Sequence, residues 1–283
     1  MKIDILAFSI LRDNAINYQY ENINCVNIKV LYMSKLARGK DVSNNTKNDF
    51  EYLEMLENYF SNSIGTTIEK IQNFPKYVPR QDLTNFIAKY EIFKKILDVP
   101  GDIIECGVFF GGGLMTSAHL SSIFEPINFE RRIIGFDTFT GLTELSEFDS
   151  TKSTLAKKGA YAVDSFDDIQ ECIKLYDSNR YLSHLKKVQI IKGDAIKTIP
   201  QFLKEHPETM ISLLYLDFLL YEPSKVALEN FLPRMPENSI IAFNTLTDPK
   251  WPGTMHAVFE TLGINDKKFK RFSFNPYIQY LVL

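Results

Sequence analysis

The feature that most constrains the fold is an alternation of short apolar runs with stretches of helical spacing over the last two thirds of the chain. Runs of strand length occupy residues 102–107, 132–137, 187–191, 211–217 and 238–243, and helical stretches follow near 113–124, 164–178, 195–206, 222–232 and 253–263. Most of the runs are continuously apolar, which is typical of strands buried on both faces. The alternation therefore predicts an α/β protein with a largely parallel sheet and helices on both faces.

The C-terminal end departs from this pattern. Residues 269–274 and 277–283 are both strand-like, and Asn275-Pro276 lies between them. Two such segments around a tight turn predict a closing antiparallel hairpin.

We predict two parts of the chain: an N-terminal extension over residues 1–98 and a ligand-binding domain over residues 99–283. The extension contains strand-like stretches at 3–8 and 26–31, a polar loop at 38–47, and helical spacing after it. We also predict a helix over residues 83–97, capped by Asp82 and ended by Pro100-Gly101.

Charge and cysteine content exclude several classes of protein. The net charge of −3 lacks the basic surplus of a nucleic-acid-binding protein. The three cysteines are far apart, so they give neither a disulfide framework nor metal-ligand spacing. No apolar run approaches the roughly 20 residues that span a bilayer, and the N-terminus does not resemble a signal peptide. We therefore expect a cytoplasmic protein that binds neither nucleic acid nor membrane.

The strongest local motif is a glycine-rich turn that follows the first predicted strand. The strand ends at Glu105-Cys106-Gly107, and Gly111-Gly112-Gly113 open the next helix. Glycines allow positive φ and close approach of the backbone to a ligand. The spacing is not the G-x-G-x-x-G of dinucleotide-binding proteins, and an acid before the first glycine suits a cationic or amine-bearing ligand. The alternative is a turn that only packs tightly.

Acids also follow the next predicted strands, at Asp137, Asp194 and Asp217. Ligands of open α/β sheets bind outside the carboxyl ends of the strands, so these acids converge on one crevice. The two oxygens of Asp137 match the two hydroxyl donors of a ribose. Asp194 either contacts an adenine amino group or simply caps the following helix.

Three segments together resemble the macrocin O-methyltransferase family: Pro100–Val108, Gly135–Leu142 and Leu216–Glu222. The similarity runs from about residue 80 to the C-terminus. It implies a Rossmann-like class I methyltransferase fold, with a mostly parallel seven-stranded sheet, a C-terminal antiparallel hairpin and an N-terminal helical extension. It also implies O-methylation of sugar hydroxyls on natural products, with S-adenosylmethionine as donor and a divalent metal, usually magnesium.

The resemblance further implies contacts between the cofactor and a set of residues of this chain, and N-terminal helices that cover the site and build a homodimer. These cofactor-binding residues are Glu105, Gly107, Gly111, Gly112, Asp137, Phe139 and Asp194.

The catalytic part departs from the family pattern. The family motif Asp-x-Asp-Leu-Tyr is Asp217-Phe218-Leu219-Leu220-Tyr221 here, and the later Asp-Asp pair is Asn244-Thr245. Magnesium prefers anionic oxygen ligands, so Asp217 and Asn244, the candidates that remain, make a weak metal site. We therefore predict a metal-independent enzyme.

Candidate catalytic residues are Asp217, His256 and Asp248, of which His256 and Asp248 are the candidate bases. A histidine has a suitable pKa for proton abstraction, although a lone histidine on a helix is more often a surface residue, and Asp248-Pro249 is also a common turn pair. Tyr221 and Trp251 form either an aromatic wall for the substrate or part of the core.

Two hypotheses about function are consistent with these residues. The first is a methyltransferase for a small hydroxylated acceptor, either a sugar or a natural-product moiety. The second is a cofactor-binding protein that has lost catalysis. A nicotinamide-dependent oxidoreductase is a weaker third hypothesis, because the glycine pattern of dinucleotide-binding proteins is missing.

Overall fold

The computed structural model describes residues 46–149, 153 and 155–283. The predicted strand-like stretches at 3–8 and 26–31, and almost all of the predicted loop at 38–47, lie outside the described residues. The chain divides into two compact units, Met1–Asn62 and Ser63–Leu283.

In the first unit the structure describes helix α1, Lys47–Asn62. Thr46 and Asp49 begin it with reciprocal bonds: the Thr46 amide donates to the Asp49 carboxylate at 2.7 Å, and the Asp49 amide donates to the Thr46 hydroxyl at 3.4 Å. This arrangement satisfies backbone donors that have no partner inside the first helical turn.

The second unit alternates helices and strands from end to end. Its elements are α2 Thr67–Gln72, α3 Arg80–Phe93, β1 Asp102–Cys106, α4 Gly112–Phe124, β2 Ile133–Asp137, α5 Phe166–Asp177, β3 Val188–Lys192, α6 Ala195–Glu205, β4 Ile211–Leu216, α7 Tyr221–Phe231, β5 Ile240–Asn244, α8 Gly253–Thr261, β6 Lys270–Arg271 and β7 Ile278–Val282. None of the described helices is both long and apolar enough to cross a membrane.

The strands form one seven-stranded sheet in the order β3-β2-β1-β4-β5-β7-β6. Strands β1 to β5 are parallel to one another, whereas β7 pairs antiparallel with both β5 and β6. The predicted class I architecture, with its C-terminal antiparallel hairpin, is confirmed.

The core lies on both faces of this sheet, because successive strand residues point to opposite sides. Ile103, Ile133 and Leu213 face helices α3, α4 and α5, while Ile104 and Leu214 face helices α6, α7 and α8. All residues of β1 and β4 are buried, as their continuous apolar runs predict.

Helix α3 belongs to the first of these clusters through Ala88, Ile92 and Phe93. The compact unit that contains the sheet spans Ser63–Leu283, and the predicted boundary of the ligand-binding domain at residue 99 stays a prediction. The predicted cap of this helix is wrong: α3 begins at Arg80 after Pro79, and Asp82 lies in its first turn. Proline favours the start of a helix, since its fixed φ suits the helix and its missing N–H has no intrahelical partner there.

The predicted strand at 269–274 is much shorter than its apolar pattern suggests. Only Lys270–Arg271 pairs with β7, at the exposed edge of the sheet. After this strand, the Asn275 side-chain oxygen accepts hydrogen bonds from the amides of Tyr277 at 3.1 Å and Ile278 at 3.2 Å. These bonds fix the turn before β7.

Candidate active site

The carboxyl ends of β1, β2, β4 and β5 bring several of the predicted site residues to one edge of the sheet, among them Asp137 and Asp217. Backbone bonds continue the parallel ladders past the strand ends: the amide of Gly107 donates to Phe136 at 2.9 Å, and that of Asp217 donates to Cys106 at 2.8 Å. A Cβ added to Gly107 would lie 2.5 Å from the Asp217 carbonyl oxygen and 3.4 Å from the Asp217 Cβ. The glycine turn and Asp217 are therefore in direct contact.

The fold itself requires two glycines of the turn. Gly107 has φ +91° and Gly111 has φ +84°, a region that other residues rarely adopt. Gly112 is different, because it is exposed and a Cβ placed on it would meet nothing within 4 Å. The space over this helix N-terminus is open, which is what a bound cofactor requires.

Asp137 connects the two loops that flank this space. One of its carboxylate oxygens accepts from the amides of Val108 at 2.7 Å and Phe109 at 2.9 Å, and the other accepts from the Phe139 amide at 2.7 Å. A carboxylate has about four acceptor positions, so three are used in holding the loops. This clamping role was not predicted from the sequence, and the predicted contact with ribose stays a prediction.

Of the seven non-glycine residues with left-handed backbone angles in the described part of the chain, four lie within three residues of the ends of β1, β2, β4 and β5. They are Phe109 (φ +54°), Phe139 (φ +58°), Leu219 (φ +65°) and Thr245 (φ +55°). Each costs of order 1–3 kcal/mol, and such strain concentrates at functional sites. No sequence signal marks these positions, since none is the glycine or asparagine that favours this conformation.

Glu105 is paired with a residue that the sequence did not identify. Lys89 of α3 donates from Nζ to Glu105 Oε2 at 2.9 Å, and both side chains are almost fully buried. The two residues are 16 positions apart and belong to different elements. No local motif could have revealed the pair.

Asp217 and Asn244 lie on adjacent strand ends and are joined by a hydrogen bond. Asn244 Nδ2 donates to Asp217 Oδ2 at 3.0 Å. Burial raises the pKa of the Asp217 carboxyl to about 7, while the bond from Asn244 and the charge of Lys89 oppose this increase.

Thr245 follows Asn244, and its hydroxyl oxygen is buried without a partner among the described atoms. A buried hydroxyl without a hydrogen bond is costly. A bound substrate would be one source of the missing partner.

These residues offer few of the ligands that a magnesium ion prefers. Asn244 turns its NH₂ group, which cannot coordinate a metal, toward the one carboxylate, and Leu219 has no side-chain oxygen to offer. Among the described residues, no three His, Cys, Asp or Glu side chains lie close enough together to hold a metal. Magnesium prefers anionic oxygen ligands, so a metal site here would be weak, and metal independence stays a prediction.

Asp194 and Phe139 have clear structural roles. Asp194 caps α6, since its carboxylate accepts from the Ile196 amide at 3.1 Å. Phe139 is buried, and its ring centroid lies 5.4 Å from that of Phe166. Their contacts with the cofactor stay predictions.

The two alternative bases, Asp248 and His256, lie in the loop after β5 and on helix α8. Asp248 accepts a hydrogen bond from the Lys250 amide at 2.9 Å within a local turn. His256 is exposed on α8, and its ring centroid lies 5.3 Å from that of Phe148.

Tyr221 belongs to the core rather than to an aromatic wall. It is buried, and its hydroxyl donates to Glu260 of α8 at 2.6 Å. Trp251 is also buried, and its ring lies edge-on to that of Tyr161 at 5.6 Å.

A further acid that the sequence did not single out supports this edge of the sheet. Asp149 is buried and accepts from the Tyr221 amide at 2.8 Å and from the Ser146 amide at 2.8 Å. It therefore ties the loop after β2 to the start of α7, directly after the segment that carries Asp217 and Leu219.

The fold and the motifs at its carboxyl edge define an S-adenosylmethionine-dependent O-methyltransferase of class I. A family model described as macrocin-O-methyltransferase (TylF) matches residues 78–258. The chain belongs to the macrocin-O-methyltransferase family, as the resemblance predicted.

Solved structures agree with this assignment. The chain is 33% identical to CalS11, a calicheamicin methyltransferase, over 86% of this chain and 97% of that chain, with a TM-score of 0.81. An apo structure of CalS11, described as a TDP-rhamnose 3'-O-methyltransferase, is 33% identical over 84% and 95% of the two chains, with a TM-score of 0.73. The O-methyltransferase NovP is 15% identical over 90% of this chain and 98% of that chain, with a TM-score of 0.55, and it shares the fold. No curated protein matches the chain in sequence.

Proposed function

We propose that the protein methylates a sugar hydroxyl without a metal ion, and that Asp217 is the base. The sugar is carried by a natural product or by its nucleotide-activated precursor. The observation that carries the proposal is the direct contact between the open glycine turn and Asp217. A donor bound over Gly112 would present its methyl group to an acceptor beside this carboxylate.

The acceptor class is inferred from the relatives. CalS11, at 33% identity, is described as acting on TDP-rhamnose. A site at the carboxyl edge of the sheet suits a small acceptor of this kind. The net charge of −3 supports a small molecule rather than a nucleic acid.

The chemistry is a direct displacement. S-adenosylmethionine supplies a methyl group on a positively charged sulfur. The acceptor oxygen forms a bond to the methyl carbon as the carbon–sulfur bond breaks, and the bonding pair returns to sulfur. The hydroxyl proton passes to Asp217. Asn244 holds one oxygen of this carboxylate, so the other keeps a fixed direction, and such orientation lowers the barrier to reaction.

The test is a methyl-transfer assay with TDP-linked deoxysugars and with sugar-bearing natural products, in EDTA and in magnesium. We expect turnover of at least one acceptor that is unchanged by EDTA. Turnover that requires magnesium would refute the metal-independent mechanism. Cofactor binding without turnover across the whole panel would favour the alternative, a cofactor-binding protein without catalysis.

The base is tested with matched carboxylate variants. We expect Asp217→Asn to lower kcat by about 10²- to 10⁴-fold, the range for loss of a general base, with little change in S-adenosylhomocysteine affinity. Asp248→Asn is the control, because Asp248 belongs to a local turn. A large loss in Asp248→Asn or His256→Gln, with Asp217→Asn still active, would reassign the base to that residue.

The oligomeric state and location are also proposed. The family resemblance supports a homodimer, and the composition supports a cytoplasmic protein. The mass of the full chain in solution tests the homodimer, and cell fractionation tests the location.

A further inference from the structure

The geometry points to Lys89 as a positioning residue of the cofactor site, which fixes Glu105 and sets the charge that a cationic methyl donor meets. The inference rests on the proposed placement of S-adenosylmethionine against Glu105 and the glycine turn. Lys89 lies outside the motifs that carry this placement, on helix α3.

Lys89 is held from two sides in a buried position. Its Nζ lies 2.9 Å from Glu105 Oε2 and 3.5 Å from the centroid of the Tyr215 ring. The side chains of Lys89 and Glu105 are only 11% and 5% exposed. A buried cation held between a carboxylate and an aromatic face has little freedom to reorient.

The pair lies directly against the glycine turn. A Cβ on Gly113 would be 2.1 Å from Glu105 Oε1 and 2.7 Å from Lys89 Nζ. Lys89 therefore binds one oxygen of Glu105 while the other lies against the first turn of α4. In this arrangement Lys89 decides where the free oxygen points.

Lys89 also offsets negative charge at this edge of the sheet. Glu105 lies in β1, Asp137 ends β2 and Asp217 follows β4, on adjacent parallel strands, and Lys89 is a buried cation paired with Glu105. The methyl donor carries one more positive charge than the demethylated product, S-adenosylhomocysteine. Removal of the Lys89 charge must therefore favour the donor over the product, because a more negative site attracts the cation.

These two effects are separable by measuring both ligands. Loss of Glu105 positioning weakens donor and product alike, since both carry the same amino group. Loss of the Lys89 charge changes the ratio of their dissociation constants. A residue that only supports the fold would leave this ratio unchanged.

The experiment is titration calorimetry of the full chain with S-adenosylmethionine and S-adenosylhomocysteine, without acceptor. For Lys89→Met we expect both ligands to bind about fivefold or more weakly. We also expect the ratio of the product Kd to the donor Kd to rise about three- to tenfold. An unchanged ratio would overturn the inference.

Lys94→Met is the matched control. Lys94 also pairs with a glutamate, Glu91, at 2.9 Å and also lies over an aromatic ring, that of Tyr90 at 4.5 Å, but its side chain is 38% exposed. It follows the same helix. We expect this variant to change neither affinity nor the ratio by more than about twofold.

Thermal unfolding shows whether Lys89→Met is folded. If it is not, two further variants test the inference. Lys89→Gln retains a hydrogen-bond donor without the charge and should raise the ratio. Lys89→Arg keeps the charge and should preserve the ratio. The opposite pattern in these two variants would also overturn the inference.

Glu105→Gln distinguishes failure of the inference from failure of the placement on which it rests. This variant removes a negative charge and should lower the ratio. If it leaves both affinities unchanged, the cofactor does not lie against Glu105, and both proposals fail. If it weakens binding while Lys89→Met behaves like Lys94→Met, only the role of Lys89 is refuted.

Discussion

At the scale of single residues, the neighbouring glycines Gly112 and Gly113 have opposite surroundings. Substitution of one should therefore affect cofactor binding, and substitution of the other should affect the stability of the fold. Gly112 has open space above it, whereas a side chain on Gly113 would collide with Glu105. We expect Gly112→Ala to weaken S-adenosylhomocysteine binding by about tenfold, because its methyl group occupies the proposed cofactor space. Its thermal stability should be unchanged or slightly higher, since alanine is favoured over glycine in a helix by roughly 0.5–1 kcal/mol.

Gly113→Ala is the comparison for this prediction, measured by the same calorimetry and thermal unfolding. It should lose stability, because the new Cβ would displace the buried pair of Glu105 and Lys89. Full affinity in Gly112→Ala would contradict the placement of the cofactor. A loss of stability in that variant would show that the fold also needs this glycine.

Asp137 gives a second prediction at this scale. Its carboxylate accepts three backbone hydrogen bonds from two loops. An asparagine has only one acceptor oxygen, so Asp137→Asn turns an NH₂ group toward at least one backbone amide. We expect a loss of at least about 1 kcal/mol both in unfolding free energy and in S-adenosylhomocysteine binding.

Asp248→Asn is the control for Asp137→Asn, because Asp248 accepts a single local bond that an amide oxygen can replace. Urea unfolding and calorimetry measure both variants. Equal behaviour of the two would mean that the Asp137 clamp contributes nothing specific.

At the scale of elements, the sequence predicted the order and type of the strands and helices well. Continuous apolar runs identify the parallel strands, and β1 and β4 are buried throughout, as such runs imply. The ends of elements were less predictable. Helix α3 begins at Arg80, whereas the sequence predicted a helix capped by Asp82. Strand β6 contains only Lys270–Arg271, whereas the predicted strand covered residues 269–274. Ends depend on single caps and pairings, which hydrophobic periodicity does not encode.

The sequence pointed to most candidate site residues at or near the carboxyl ends of strands. Glu105 lies near the end of β1, Asp137 ends β2 and Asp217 follows β4, and parallel strands end at one edge. Lys89 was not identified in this way, since it lies on a separate helix and meets Glu105 only in the folded chain. The strained backbones of Phe139 and Thr245 were also invisible, because tertiary contacts impose them.

The junction before β3 gives a pH-dependent prediction. Lys187 is buried, and its Nζ donates to the Asn128 carbonyl at 2.5 Å. Burial lowers its pKa to about 8. Below pH 8 the charged amine destabilises the folded state. Between pH 8 and about 10.4 the unfolded chain keeps a proton that the folded chain has released, so this residue makes stability rise with pH by about 1–3 kcal/mol.

The measurement for Lys187 is urea unfolding at pH 7.5 and pH 9.5. Other groups titrate in this interval, so the decisive quantity is the difference between the wild type and Lys187→Met, which lacks this contribution. Lys186→Met is the matched control, because Lys186 is the exposed neighbour in the chain. The same pH dependence in wild type and Lys187→Met would refute the prediction.

At the scale of the whole molecule, the unit Ser63–Leu283 contains the complete sheet and both core clusters. In the other unit, helix α1 has no buried residue, and Met55 is 70% exposed and Tyr52 44% exposed. Apolar side chains exposed along a helix are typical of an interface with another chain. We therefore expect deletion of residues 1–62 to leave the domain folded and to abolish the proposed homodimer.

Light scattering coupled to gel filtration measures this prediction. The full chain should have twice the mass of its 32.7 kDa protomer, and residues 63–283 should have the mass of one chain. Circular dichroism and a cooperative thermal transition would show that the shortened protein is folded. Both forms should bind S-adenosylhomocysteine, since every proposed cofactor residue lies after position 62. A monomeric full chain would refute the dimer, whereas a dimer that survives the deletion would move its interface to the methyltransferase domain.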